Sequence, residues 1–307
     1  MLIAFWLIRG HLRRHQASSF VYGFSLAALF LGTYLTAWTV TLNNHVIAAA
    51  TGLFATHAMI RIFYDGRREC YWFVLVGLCG TLTAAVELPA GLLAAALILA
   101  IFRNDWRRTL AAAVPPALIV TAVALYTNYQ VMGSIWPAYT EVFKPGGCYD
   151  YPGSYWREPT GIDALDEPKT LYLLNLLVGH HGFFSLTPVI VLCLLGLVRH
   201  LAGGQYARRG LAALVLLLTA AVTAVYVCKT NNYGGLCEGP RWLFWLVPLW
   251  LLFLADGTAL LAKARAGRLM CYVFLAVSVM SMADALPRPW SHSWLHRLFA
   301  QLHWINY

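Results

Sequence analysis

Residues 210–228, GLAALVLLLTAAVTAVYVC, carry no charged side chain and consist mainly of Leu, Ala and Val. The basic residues Arg208, Arg209 and Lys229 flank them. A helix needs about 20 apolar residues to cross the hydrocarbon core of a bilayer, and this stretch has that length. Because no water is present in that core, backbone groups must bond within the segment, which favours a helix. The stretch therefore predicts a transmembrane α-helix.

The whole chain has the same character. Its 307 residues are 60% hydrophobic and 11% charged, with a mean hydropathy of +0.63. Soluble domains carry about 25% charged residues, so a soluble fold is excluded. Transmembrane β-barrels use short alternating strands, whereas the apolar stretches here are continuous. The pattern predicts an all-α polytopic transmembrane bundle with nine spans, at 19–40, 46–63, 71–86, 88–102, 109–127, 183–198, 210–228, 242–260 and 269–287.

Basic residues collect in alternate links between these spans. Fifteen of the 22 Lys and Arg residues fall on one side: Arg9, Arg13, Arg14, Arg61, Arg67, Arg68, Arg103, Arg107, Arg108, Arg199, Arg208, Arg209, Lys263, Arg265 and Arg268. The positive-inside rule predicts that this Arg-rich face is cytoplasmic. The net charge of +9 is therefore a topology signal, with some contact to anionic lipid, and no nucleic-acid partner is expected.

The opposite, outer face receives most acids, aromatics and turn residues. We expect one membrane domain over residues 1–307, with an outer loop at 128–169 and an outer tail at 288–307. Residues 170–182 resemble a short interfacial helix lying along the membrane surface. The break VELPA, residues 86–90, predicts a tight hairpin whose outer turn holds Glu87. The functional face is expected to be the outer one.

The N-terminal stretch MLIAFWLIRGHLRRHQ, residues 1–16, has only seven apolar residues between Met1 and Arg9. That run is too short to span a bilayer. It is also a poor signal peptide, because the positive charges follow the apolar run. We interpret it as the cytoplasmic end of a partial N-terminal span, and the alternative is a short interfacial N-terminus.

Two groups of polar residues near the first outer links are candidates for a site. Asn43, Asn44 and His45 end the segment TLNNH, where two amides and an imidazole can bond a sugar or a phosphate. Helix capping by either Asn is the alternative. Glu87 is a carboxylate beside apolar runs, which makes it a functional candidate. The alternative for Glu87 is a solvated turn.

The segment GHHGFFSLTP, residues 179–188, is the third candidate. Adjacent histidines point to different sides of a helix, and no zinc-type spacing of His and Cys occurs in the chain. We therefore expect His180 or His181 to hydrogen-bond at the interface, with no metal and no cofactor.

The fourth candidate is TNNYGGLCEGPRW, residues 230–242, which places turn chemistry between two apolar runs. Gly235 and Gly239 permit close backbone approach. Pro240 can begin the next helix, with Arg241 in its first turn. Free N–H groups and a guanidinium there favour an anionic oxygen cluster such as a phosphate. A surface Arg241 paired with Glu238 is the alternative.

In order and spacing, these segments resemble the GT-C class of polytopic glycosyltransferases, which includes protein O-mannosyltransferases and aminoarabinose transferases. The resemblance is carried by 32–49 (GTYLTAWTVTLNNHVIAA), 84–94 (AAVELPAGLLA), 179–188 and 231–250 (NNYGGLCEGPRWLFWLVPLW). It covers most of the chain from about residue 20 to 260. No single motif in it is a catalytic signature.

The resemblance implies transfer of a sugar from a polyprenyl-phosphate carrier to an acceptor on the outer face of a bacterial inner membrane. Arg241, Gly235 and Gly239 would bind the carrier phosphate. Sugar contacts are expected from these residues: Asn43, Asn44, His45, Asn231, Asn232, Tyr233, His180 and His181. The family's catalytic Asp or Glu lies in the first outer loop, which would precede Met1, so the base is not assigned here and the chain is expected to be incomplete or inactive alone. Glu87 is an auxiliary acid candidate.

Two rival classes stay open at this point. One is a transporter or lipid flippase, and the other is a non-catalytic membrane subunit. Transporters have paired broken helices or internal repeats, with charges near the bilayer midplane. The charges here cluster at the outer ends of spans, which favours surface chemistry.

Cysteine positions suggest one covalent link. Cys148 and Cys237 both fall in outer links, where a disulfide is chemically permitted. A Cys148–Cys237 bond would tie the loop 128–169 to the Gly-rich turn. Two separate thiols are the alternative.

Overall fold

The structure is a computed structural model that describes residues 1–14, 18–137, 144–147, 149–203, 206–230 and 232–307. All regular structure in these residues is helical. The α-helices are α1 (Leu2–Arg14), α2 (Ser19–Leu31), α3 (Tyr34–Trp38), α4 (Asn44–Phe63), α5 (Cys70–Val86), α6 (Gly91–Asn104), α7 (Trp106–Arg108), α8 (Val114–Met132), α9 (Lys169–Leu177), α10 (Phe183–Leu186), α11 (Val189–Gly203), α12 (Tyr206–Lys229), α13 (Val247–Leu251), α14 (Leu254–Leu261), α15 (Arg265–Ala285) and α16 (Trp294–Gln301).

Short irregular helices join these elements. A π-helix over Thr109–Ala113 links α7 to α8, and 3₁₀ turns occupy Leu88–Ala90, Tyr155–Arg157, Gly161–Ala164 and Arg241–Leu246. The all-helical prediction is confirmed for the described residues.

Five helical segments are long and apolar enough to cross a membrane: Ser19–Trp38, Asn44–Phe63, Trp106–Met132, Arg208–Lys229 and Arg265–Ala285. A sixth is available if Arg241–Leu251 and Leu254–Leu261 form one span, although the two are bent by 71°. Cys70–Val86, Leu88–Asn104 and Val189–Gly203 are apolar but shorter. Each predicted span thus overlaps helix over most of its length, but the predicted total of nine spans is not confirmed.

Two predicted boundaries in the outer segments were wrong. Helix α8 continues to Met132, so the predicted outer loop starts later, after Gly133 ends the helix at φ 66°. The predicted interfacial helix 170–182 is only α9, which ends at Leu177, and His180 and His181 lie in the turn beyond it. Since a turn can place neighbouring rings on one side, these two histidines are not held on opposite faces of a helix.

Links assigned to the same side by the charge rule contact one another. On the predicted outer side, Asn232 donates to Asp163 over 3.2 Å, and the Glu238 N–H donates to the Pro289 carbonyl over 2.9 Å. On the Arg-rich face, Arg14 lies 3.6 Å from Asp65. Because these residues are far apart in sequence, the packing agrees with the alternating sides that the basic residues predict.

Candidate functional site

The site begins where α4 and the α5 turn meet. Glu87 is only 3% exposed, and its Oε1 accepts a hydrogen bond from Asn44 Nδ2 over 2.6 Å while Nδ1 of His45 lies against the same oxygen. Asn44 also donates to the Val86 carbonyl, which ties the start of α4 to the end of α5. The alternative of a solvated Glu87 turn was wrong, because the carboxylate is buried and partnered.

Asn43 has a structural role. Its Oδ1 accepts from the Val46 N–H over 2.9 Å as the N-cap of α4, and its Nδ2 donates to the carbonyls of Trp38 and Thr41. The capping alternative therefore applies to Asn43, and the hydrogen-bonding capacity of its amide is used within the chain.

The Gly-rich turn after α12 is held by its own side chains and by the predicted outer loop. Asn232 accepts from the Gly234 N–H over 3.0 Å and donates to Asp163. Gly235 and Gly239 have φ angles of 72° and 74°, which L side chains rarely adopt. A Cβ on Gly239 would lie 2.8 Å from the ring of Tyr34, so glycine is required there for space as well.

A chain of hydrogen bonds runs inward from the loop before α9. Tyr233 and Tyr307 both donate to Glu167, Tyr307 over 2.7 Å. The Tyr307 oxygen lies 2.8 Å from His180 Nε2, and His180 Nδ1 lies 2.6 Å from His181 Nδ1. Because the Tyr307 O–H donates to Glu167, its oxygen accepts from His180 Nε2–H, and His180 Nδ1 accepts in turn from His181 Nδ1–H.

Burial keeps these rings neutral. Desolvation, followed by the nearby His296 and His292, lowers the pKa of His180 to about 3. Desolvation and then His180 lower the pKa of His181, and burial raises the pKa of Tyr233 and Tyr307 above its ordinary value. Neutral imidazoles match the proton order above. The aromatic stack of Tyr233 on Tyr172 and His181 fills the same space, so Tyr233, His180 and His181 act here as packed framework groups.

Arg241 is a cation with which no carboxylate in the described residues pairs. Its Nε is buried without a hydrogen-bond partner in that part of the chain, and its guanidinium carbon lies 5.1 Å from the ring centre of Trp290. The side chain packs on the backbone of Gly234. The residue as a whole is half-buried.

The helix after Pro240 was predicted wrongly in its type. Arg241 begins a six-residue 3₁₀ segment, Arg241–Leu246, and α-helix starts only at Val247. A turn so short offers no helix-terminal anion site, so the case for a phosphate at this position depends on the guanidinium.

The alternative pairing of Arg241 with Glu238 was also wrong. Glu238 is fully buried. Its Oε1 accepts a hydrogen bond from Ser291 Oγ over 3.2 Å, and Arg297 Nη1 lies 3.6 Å from the same oxygen. Arg297 in turn donates to Asp284 over 2.7 Å. The C-terminal segment supplies these partners, and nothing in its local sequence pattern pointed to them.

Two predictions involve residues outside the described part of the chain. Asn231 and Cys148 both lie there. Cys237 is a buried free thiol whose Sγ lies 3.4 Å from the Gly239 carbonyl oxygen, so the predicted Cys148–Cys237 bond gains no support. Among the described residues, no group of three or more His, Cys, Asp or Glu side chains is arranged to hold a metal ion.

No protein-family profile, curated protein sequence or solved structure matches this chain.

Proposed function

We propose that the chain is a GT-C-like membrane glycosyltransferase that acts on a polyprenyl-phosphate-linked sugar at the outer face of a bacterial inner membrane. The observation that carries this proposal is Arg241. A half-buried guanidinium without a carboxylate partner in the described residues is costly unless an anion neutralises it. A lipid phosphate can supply this anion at the membrane surface while its prenyl chain stays in the bilayer.

The surroundings of Arg241 suit such a ligand. The backbone of Gly234 and Gly235, both with positive φ, leaves the turn without side-chain bulk beside the guanidinium. Trp242 stacks on Tyr226 near the C-terminal end of α12, so aromatic surface for a prenyl chain adjoins the turn. We assign the carrier phosphate to Arg241 and the apolar chain to this aromatic surface.

Glu87 and His45 provide an auxiliary acid–base pair. The carboxylate and imidazole are in contact and nearly buried, and Asn44 orients the carboxylate. Paired titratable groups of this kind are suited to general acid–base chemistry. The segment that begins at Arg241 packs against α4, which starts with Asn44 and His45, and this packing supports assigning the pair and the phosphate to one site.

Carrier binding tests the phosphate assignment. Native mass spectrometry of the full chain should show binding of undecaprenyl phosphate and much weaker binding of undecaprenol, which lacks the phosphate. Arg241→Ala should weaken binding by about 10–100-fold, since a hydrogen bond to a charged group contributes about 1.5–3 kcal/mol. Arg241→Lys should restore only part of it, because an ammonium lacks the planar fork.

The matched control is Arg157→Ala. Arg157 lies in the predicted outer loop and is paired with Asp150 at 2.6 Å, so its loss should leave carrier affinity unchanged. Equal affinity of wild type and Arg241→Ala for undecaprenyl phosphate would refute the assignment.

A transfer assay distinguishes the enzyme from its rivals. If the Glu87–His45 pair supplies the acid–base chemistry, proteoliposomes with a radiolabelled undecaprenyl-phosphate sugar should yield labelled acceptor together with free carrier. Movement of the intact labelled lipid between leaflets, with no loss of its sugar, would instead identify a flippase. Carrier binding with neither transfer nor movement would favour a non-catalytic subunit.

A further inference from the structure

The Arg-rich face holds a second feature that the proposed function does not use. Near the end of α1, the link between α4 and α5 borders an open cavity of about 620 Å³. Its charged lining residues are Arg14, Arg61, Arg67, Arg68, Asp65 and Glu69. Four arginines and two acids leave a net charge of +2, so the cavity attracts anions.

The acids neutralise these arginines unevenly. Arg14 and Arg61 share the single carboxylate of Asp65, with Arg14 at 3.6 Å. Arg67 lies 3.3 Å from Glu69, whereas Arg68 forms no side-chain ion pair with the described residues. The cavity therefore retains positive charge that a ligand can neutralise.

An apolar groove of about 480 Å³ continues from this cavity. Arg14 and Arg61 border both, and the groove runs between α1, α4 and α5. Its walls include Trp6, Phe54 and Trp72, and the guanidinium of Arg61 lies 5.4 Å from the ring centre of Trp72. Trp6 is 64% exposed, so the groove is open to its surroundings.

We propose that this cavity and groove together bind one anionic phospholipid, with its phosphate among the arginines and one acyl chain in the groove. A basic cavity attracts the head group but offers nothing to a chain, and the apolar groove attracts a chain but no charge. Only a molecule with an anionic head and a long apolar tail satisfies both. Basic pockets between transmembrane helices on the cytoplasmic side are suited to such head groups.

The groove favours a lipid over a soluble anion or an acidic peptide. It runs along α4, a helix long and apolar enough to span the bilayer, and most of its lining side chains are apolar. A soluble ligand would leave these apolar walls unfilled, whereas an acyl chain reaches them from the surrounding leaflet. The site is on the opposite face from Arg241 and does not depend on the proposed enzymatic function.

The charge arm of the test uses the full chain in detergent, titrated with dioleoylphosphatidylglycerol and read by native mass spectrometry. Arg67→Gln/Arg68→Gln should weaken binding about 30-fold, since each basic residue near the head group contributes about a factor of five. Both side chains are exposed on a link, so the fold should tolerate the change. Lys263→Gln/Arg265→Gln removes the same charge from the same face outside the cavity and should leave binding unchanged.

The groove arm uses Gly10, which lines the groove and has no atom within 4 Å of an added Cβ. Gly10→Phe should fill the groove and reduce binding at least about tenfold, with all arginines intact. Gly23→Phe, in α2 and equally free of neighbours, is the matched control and should bind like wild type.

Three results would overturn the proposal. These are equal binding of dioleoylphosphatidylcholine, displacement of phosphatidylglycerol by an equal concentration of inorganic phosphate, and full binding by the Gly10→Phe variant. The first would remove the charge requirement, and the other two would remove the groove.

Discussion

Glu238 shows at the scale of one residue how the fold changes a side chain's chemistry. It is fully buried, and desolvation followed by the neighbouring Asp284 raises its pKa to about 8. Ser291 and Arg297 act in the opposite direction but do not compensate. Near neutral pH the folded chain therefore holds a proton that an exposed glutamate would release.

This proton predicts how stability depends on pH. An unfolded Glu238 loses its proton near the ordinary value of 4.5, whereas the folded one retains it up to about pH 8. Because the folded state binds more protons between these values, the contribution of Glu238 is complete below the lower value and is lost as pH rises through the upper one. Melting temperature should fall as pH rises from about 4.5 to about 8, and Glu238→Gln should reduce that fall.

The comparison should be made in one detergent, with Glu158→Gln as the exposed control. A wild type whose melting temperature rises over this range, or a Glu238→Gln variant with an unchanged slope, would contradict the assigned protonation.

Glu87 gives a second prediction at this scale. Its carboxylate, 3% exposed, holds Asn44 and His45. A buried polar group left without its partner commonly costs about 1–3 kcal/mol, so Glu87→Ala, which removes the partner of both Asn44 and His45, should lower the unfolding free energy by roughly 2–6 kcal/mol. Glu87→Gln, which keeps an acceptor for Asn44, should cost less. Chemical denaturation in mild detergent measures both, and equal losses would show that the Asn44 bond contributes little.

At the scale of elements, glycines bring helices into backbone contact. A Cβ on Gly257 in α14 would lie 1.7 Å from the carbonyl oxygen of Leu192 in α11. One on Gly196 in α11 would lie 2.1 Å from the Phe253 carbonyl oxygen. Small residues allow this close approach between membrane helices, where dispersion contacts replace the hydrophobic effect as the driving force.

Gly257→Ala should therefore force α11 and α14 apart. The obstructing atoms belong to backbone and cannot rotate away, so we expect a loss of at least about 1–3 kcal/mol. Gly210→Ala, on α12 with no atom within 4 Å of an added Cβ, is the control and should be neutral or slightly stabilising. A thermal shift measurement that finds both variants equally stable would argue against backbone contact between α11 and α14.

Across the whole bundle, the segments that join the helices form two separate contact regions, one on each predicted side of the membrane. The C-terminal tail reaches back to the loop before α9, where Tyr307 donates to Glu167 over 2.7 Å. On the Arg-rich face, Arg208 lies 3.5 Å from Asp256. The packing of the helices thus brings together segments that are far apart in the sequence.

Labelling of single cysteines should locate these two sets on opposite sides of the membrane. With the seven native cysteines replaced by Ser, Arg67→Cys and Glu158→Cys each give a chain with a single thiol at an exposed position. In inside-out vesicles a membrane-impermeant maleimide should label position 67 and leave position 158 unlabelled, because the positive-inside rule puts the arginines in the cytoplasm. Labelling of both positions from the same side would refute the topology.

The helices and their approximate ends follow from local features of the sequence. Long apolar runs such as 210–228 leave the backbone no partner in lipid except itself, so helix is the one local solution. Arginines in alternate links indicated the sides, and the TLNNH and Gly-rich segments indicated turns. These properties depend on residues close in sequence, where composition and period are informative.

Which side chains meet depends on the packing of the whole bundle and could not be predicted from local sequence. Glu167, Tyr307 and Arg297 became part of the candidate site although no local pattern marked them, and Arg241 proved to lack the carboxylate partner that its sequence neighbour Glu238 suggested. Tyr307 and Glu167 are 140 residues apart, so their contact depends on how all the helices between them in the sequence pack together. Burial, which lowers the pKa of His180 and raises that of Glu238, is likewise a property of the packed bundle, since desolvation arises only when distant segments exclude water.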